Sequence, residues 1–246
     1  MIGILNAYHF DANDVGYQSD YSLLFLEFVQ NTFPERKNEI VEFKVALGQF
    51  PESPDVCDIW FITGSPKSVY EDLPWIHDLS AFVKELHLGR KKTIAICFGH
   101  QMVAHALGGR VAKSAVGWGV GIRSFDLIKH KNWMTQLPEV HPEKMSLLFS
   151  HQDQVEVMPK EAELLAGDKF CPFQMMQIGE HIMTMQGHPE FTVAFARERL
   201  ISRKDKMSSE VYEKAMASYA DHSDFTLVTE WIRQFVYGES KSKVKI

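Results

Sequence analysis

Cysteine is scarce in this sequence: only Cys57, Cys97 and Cys171 occur, an odd and scattered set with no CxxC pair. That argues against a disulfide-stapled scaffold and leads us to expect free thiols in a reducing cytoplasm. Basic residues are not in excess, and the net charge of −6 argues against nucleic acid or an anionic membrane as partner. No uncharged apolar run approaches the roughly 18 residues that a membrane-spanning helix needs. The opening MIGILNAYHF has neither the basic stretch nor the long apolar core of a secretory leader. A GxxxxGK[ST] phosphate loop, internal repeats and low-complexity linkers are all missing. What is present is the composition of a globular chain of 246 residues, 45% hydrophobic and 24% charged, long enough to bury a core without staples. A single domain over 1–246 is the simplest organisation.

Short apolar runs predict strands at 2–7 (IGILNA), 58–63 (DIWFIT), 92–96 (KTIAI), 120–128 and 145–150, with further candidates at 162–168, 172–179 and 181–187. The first three are almost continuously apolar, as strands covered on both faces must be. Between them, 21–33 carries a stripe of Leu24, Phe25, Phe28 and Val29. The segment 74–89 opens on Pro74 and closes on Gly89, and 100–109 ends in a glycine pair, both helix signatures. Alternation of strand and helix through residue 109 predicts an α/β fold, a mostly parallel central sheet with helices on both faces. The strand-rich middle adds a small mixed or antiparallel part. From about 191 to 237 the pattern predicts a helical C-terminal extension, followed by a charged tail, GESKSKVKI.

One corner carries chemistry-bearing residues. In TIAICFGHQ a strand runs into Cys97, and Gly99 precedes a helix. A strand–turn–helix elbow lifts its tip above the carboxyl ends of a parallel sheet, where such folds place their sites. The adjacent helix N-terminus favours a thiolate there. The other reading of Cys97 is a small buried hydrophobe at a strand end. A nucleophilic thiol needs a base, and the base needs an orienting partner. HIMTMQGHPE delivers His188 and Glu190 at the end of another apolar strand; in an extended chain they share one face, about 6–7 Å apart at the backbone. Read alone, that segment is equally a polar strand end entering a turn.

Together, CFGHQ, GHPE and TGSP resemble the class I glutamine amidotransferases, in particular a stand-alone branch similar to the amidotransferase domain of GMP synthase and to γ-glutamyl peptidases. The resemblance implies a fold close to flavodoxin-like and a triad of Cys97, His188 and Glu190 that works through a γ-glutamyl thioester. It implies an oxyanion hole from the backbone amides of Gly64 and Phe98, with Ser65 standing where a second glycine is usual. It assigns substrate binding to Gln101 and to Ser150, His151 and Gln152 in the segment SHQD, where Gln152 replaces a glycine. His151 and Asp153 are expected in a loop, outside the catalytic set.

The expected reaction is hydrolysis of a γ-glutamyl C–N bond, glutamine giving glutamate and ammonia, with hydrolysis of γ-glutamyl peptides or conjugates as the alternative. No cofactor is expected. A separate ammonia-accepting enzyme enters as a candidate partner, because 191–246 is too short for a nucleotide-binding synthetase domain. Two other readings compete. A metal site drawn from Cys97, His100, His105 and His188 lacks any ligand-spacing motif. A non-catalytic binding module has to explain why all three triad residue types are present. The run ARERLISRKDK (196–206) reads as a solvated helix face.

Overall fold

A computed structural model of the chain describes residues 1–8, 18–134 and 143–238; the predicted charged tail lies outside them apart from its first residue. In chain order the elements are β1 (Ile2–Leu5), α1 (Gln18–Thr32), β2 (Ile40–Phe43), β3 (Ile59–Ile62), α2 (Pro74–Leu88), β4 (Lys92–Ile96) and α3 (Phe98–Ala106). They continue with β5 (Arg110–Lys113), β6 (Gly119–Leu127), β7 (Lys144–His151), β8 (Asp153–Val157), β9 (Ala162–Gly167), β10 (Met175–Ile178) and β11 (Ile182–Met185). Three helices close the chain: α4 (Val193–Ile201), α5 (Ser209–Ser218) and α6 (Phe225–Tyr237).

A nine-stranded sheet runs β2-β1-β3-β4-β11-β10-β9-β6-β7, and β5 pairs with β8 in a separate antiparallel ribbon. The first five strands are mutually parallel, and from β11 onward every pairing is antiparallel. The α/β architecture expected from the sequence is therefore observed, including a small separate antiparallel sheet, and further antiparallel strands are fused onto the parallel sheet.

Alternation along the central strands explains the layering. Ile2, Ile4, Ile59, Phe61, Ile94 and Ile96 pack with α1 and α4–α6, while Leu5, Trp60, Ile62 and Ala95 pack with α2 and α3. Strands β1 and β3 are buried at every position, which is why they read as unbroken apolar runs. Helix α2 begins at Pro74 and buries Ile76, Leu79, Phe82, Val83 and Leu86, one stripe at helical spacing. In α1, Tyr21, Phe25, Phe28 and Val29 are buried.

Three strands were not expected. β2 is an edge strand, half-buried and without a clean apolar face. β5 and β8 are rich in charged and polar residues; Asp153 starts β8 and His151 ends β7, so neither lies in a loop as expected.

Candidate active site

Strands β4 and β11 are parallel neighbours in register, Ile96 beside Met185. Chains leaving two such strands emerge side by side, about 5 Å apart, at one edge of the sheet. β4 delivers Cys97, whose amide donates to Met185 O at 2.8 Å; β11 delivers Gln186, Gly187 and His188, whose amide donates to Leu148 O of β7 at 2.8 Å. Both residues line one cleft.

Cys97 has φ 53° and ψ −102°, backbone that a residue with a Cβ rarely adopts. The helix starting at Phe98 holds it there, and Gly99 makes the turn fit: a Cβ on Gly99 would lie 2.5 Å from Ile62 O. The corner expected from CFGHQ is present, with the sulfur at its tip and 6% of the residue exposed.

His188 Nδ1 lies 2.7 Å from Glu190 Oε1, and both side chains are buried. Their contact does not come from an extended segment as expected. The chain turns after His188, with Phe191 N–H donating to His188 O at 3.4 Å, and this folds the carboxylate back onto the ring. Phe191 stacks on the imidazole, ring centroids 3.8 Å apart and planes within 9°. Burial alone would lower the pKa of His188, but the charges of Glu190 and of Cys97 outweigh it and raise it to about 10. The contact to sulfur is looser than the one to the carboxylate: Cys97 interacts with the ring, yet Nε2 has no partner at full hydrogen-bonding geometry.

Tyr21 on α1, unmarked in the sequence reading, completes the arrangement. Its hydroxyl donates to Glu190 Oε1 at 3.2 Å and accepts from the Gly64 amide at 2.9 Å. Gly64 permits this approach, since a Cβ there would sit 2.9 Å from the Tyr21 oxygen and 3.3 Å from His188 Cε1. The Gly64 amide is thus engaged, whereas the amide of Ser65, also in the cleft lining, donates to none of the described residues. Phe98 N–H, first in its helix, has no intrahelical acceptor.

Of the four residues assigned to substrate binding, only Ser150 lines the cleft. Gln101 is buried and spends both amide hydrogens inside the protein, on Asp153 O at 2.8 Å and Gln186 Oε1 at 3.0 Å. His151 is buried behind the cleft, donating from Nδ1 to Asp153 O at 2.9 Å; burial first of all pushes its pKa down to about 4, so the ring stays neutral. Gln152 contributes its carbonyl to Ser114 N–H at 2.8 Å. Among the described residues, the remaining lining comes from Tyr8, Phe195, Arg199 and Arg203, so the segment 196–206 is not simply a solvated face. A four-residue spacing links Phe191, Phe195, Arg199 and Arg203, and that row is the signal by which the sequence could have pointed to them.

All three cysteines are free and buried, and burial holds Cys57 above its usual value and pushes Cys171 to about 12.

The class-I glutamine amidotransferase family model matches residues 26–206. This chain belongs to that family. It is 33% identical over 205 residues to γ-glutamyl peptidase 3 of Arabidopsis thaliana, covering 80% of this chain and 82% of that protein. It is 28% identical over 154 residues to the glutamine-hydrolysing GMP synthase of Streptococcus pneumoniae, covering 62% of this chain and 28% of that one. Among solved structures, a glutamine amidotransferase from Thermotoga maritima superimposes with a TM-score of 0.73 at 16% identity, over 96% of this chain and 98% of that one, a likeness of fold. Among the described residues, no helix is long and apolar enough to cross a membrane.

Proposed function

We propose that this protein hydrolyses the γ-glutamyl C–N bond of γ-glutamyl peptides, with Cys97 as nucleophile. The observation that carries the reading is the His188–Glu190 contact of 2.7 Å beside a cleft that Cys97 also lines. A buried carboxylate fixes one imidazole nitrogen and stabilises the charged ring, leaving the other nitrogen for the thiol. The thiolate attacks the γ-carbonyl carbon, and the developing oxyanion is met by the amides of Phe98 and of the 64–65 loop, Ser65 being the one not engaged by Tyr21. The imidazolium gives its proton to the departing amine as the C–N bond breaks, leaving a γ-glutamyl thioester. Neutral His188 then takes a proton from water, hydroxide adds to the thioester, and Cys97 leaves as thiolate with glutamate released.

Similarity over most of the chain to γ-glutamyl peptidases supports a peptide substrate over free glutamine. Glutamine hydrolysis, with ammonia passed to a separate enzyme, is the second reading, and the match to GMP synthase favours it.

Purified protein is offered glutamine and a set of γ-glutamyl dipeptides while free glutamate and released amine are followed. Dipeptides are expected to be cleaved faster than glutamine. Cys97→Ser and His188→Ala are each expected to suppress turnover at least ~10³-fold, because members of a catalytic unit fail together. A Cys97→Ser protein of near-normal rate would remove the reading altogether.

A further inference from the structure

Among the described residues, the cleft beside Cys97 is lined by two arginines and by no aspartate or glutamate, in a chain whose net charge is −6. Phe195 and Arg199 are one turn apart on α4, Phe191 precedes the helix in the turn after His188, and Arg203 lies in the turn beyond its end. The two aromatic members pack at the triad: Phe191 on His188, and Phe195 on Phe191 with centroids 4.8 Å apart. The two cationic members lie farther along the same wall. Each guanidinium is posed by a neutral hydroxyl, Arg199 Nη1 donating to Tyr8 Oη and Arg203 Nη1 donating to Ser150 Oγ at 2.8 Å. Ring faces support them as well, Tyr8 at 5.5 Å from Arg199 and Trp118 at 5.6 Å from Arg203. Arg199 makes no ion pair with any described residue. A guanidinium carries five N–H donors in a planar fork, so one hydroxyl leaves most of Arg199's fork to be met by a ligand.

We propose that Arg199 and Arg203 form a carboxylate-binding site for the leaving group, which makes the substrate a γ-glutamyl peptide whose departing half ends in a free α-carboxylate. The inference rests on the reading of Cys97 as a γ-glutamyl hydrolase nucleophile and names its substrate class. Ammonia, the leaving group of glutamine, would leave this half of the cleft without a contact. Guanidinium–carboxylate pairs are bidentate and charge-assisted, suited to recognising a terminal carboxylate in a partly buried site.

The test compares γ-glutamyl-alanyl-glycine with the same peptide carrying a C-terminal carboxamide, and with γ-glutamyl methylamide, which has no second carboxylate. Wild-type kcat/KM should favour the acid over the carboxamide by roughly tenfold to a hundredfold, mostly through KM. Arg199→Gln and Arg203→Gln should each lower that ratio toward one. A wild-type ratio near one overturns the proposal and needs no variant that could fail to fold. So does an equal loss on acid, carboxamide and methylamide in the glutamine variants, which would assign the arginines to the glutamyl head instead. If acid and carboxamide are cleaved equally well, only this inference falls. If no γ-glutamyl substrate is cleaved, the proposed function falls and takes this site with it.

Discussion

The Tyr21 hydroxyl binds the same carboxylate oxygen of Glu190 that holds His188, at 3.2 Å against 2.7 Å for the imidazole nitrogen. Through its second contact, to the Gly64 amide at 2.9 Å, it ties the orienting carboxylate to the loop that follows β3. Burial, and then the negative charges of Glu190 and Cys97, keep the phenol well above its ordinary pKa, so it donates at any working pH. Three elements distant in sequence are thereby locked in one geometry: α1, the loop after β3, and the turn after β11.

Tyr21→Phe keeps the ring and its packing but removes one donor and one acceptor from a buried network. The expected cost is about 1–3 kcal/mol of stability, because a carboxylate oxygen and an amide lose their partner without gaining water. On the proposed mechanism kcat should fall about tenfold with little change in KM, since the hydroxyl acts by positioning. Urea denaturation and steady-state kinetics on one γ-glutamyl dipeptide check both; unchanged kcat would show that Glu190 is held without it.

Glu190 is the largest influence that raises His188, and the sign of its effect with pH follows. A histidine held above its unfolded value of 6.5, up to about 10, stabilises the fold fully below about pH 6.5 and surrenders that contribution as pH climbs through about 10. On the proposed mechanism the same proton defines the alkaline limb of the rate profile, because neutral His188 cannot protonate the leaving amine. Glu190→Gln removes the largest raising influence and leaves burial opposed by Cys97 alone, so the alkaline limb should move to lower pH, with kcat reduced less than in His188→Ala. A limb that does not move would mean that His188 is not the group titrating there.

The legible parts of the sequence were those whose physics is local. IWFI and KTIAI read as buried strands because every position in a doubly covered parallel strand is apolar or nearly so. Cys97 with Gly99, and His188 with Glu190, are close in sequence as well as in space, so their spacing carried the signal even though the second pair meets across a turn. IVEF at the sheet edge, and the polar strands β5 and β8, are shaped by pairing partners distant in the chain, and their own patterns hardly distinguish them from loops. Tyr21 sits on the apolar stripe of α1, where a tyrosine reads as core; nothing in the stripe tells that its hydroxyl reaches Glu190 across 169 positions. Arg199 and Arg203 read as solvated for the same reason, since charge on a helix reveals its orientation only once the neighbours are known.

The backbone at Cys97 makes a further, less obvious expectation. Helices and strands usually lose stability when alanine becomes glycine, but φ 53° with ψ −102° is costly for any residue bearing a Cβ. Both Cys97→Ala and Cys97→Gly should be inactive. The glycine form should nevertheless be the more stable of the two, by about 1 kcal/mol or more, reversing the ordinary order. Urea midpoints of the two variants decide it, and an alanine form of equal or greater stability would mean that the elbow stores no strain.

Gly99 tests how tightly the nucleophile's position depends on packing beneath it. A methyl group there would lie 2.5 Å from Ile62 O and 2.9 Å from Ile62 Cβ, both in the rigid centre of the sheet, where neither backbone nor branched side chain can swing aside. The accommodation available is to lift α3, and Cys97 is the residue preceding that helix. Gly99→Ala should therefore cost about 1–3 kcal/mol through overpacking. It should also lower kcat by a larger factor than KM, because a shift of about 1 Å at the sulfur spoils its approach to the carbonyl carbon while substrate contacts elsewhere survive. Folding of the variant is checked by circular dichroism and urea titration before kinetics. A Gly99→Ala protein with wild-type stability and turnover would show that α3 is free to move without carrying Cys97 with it.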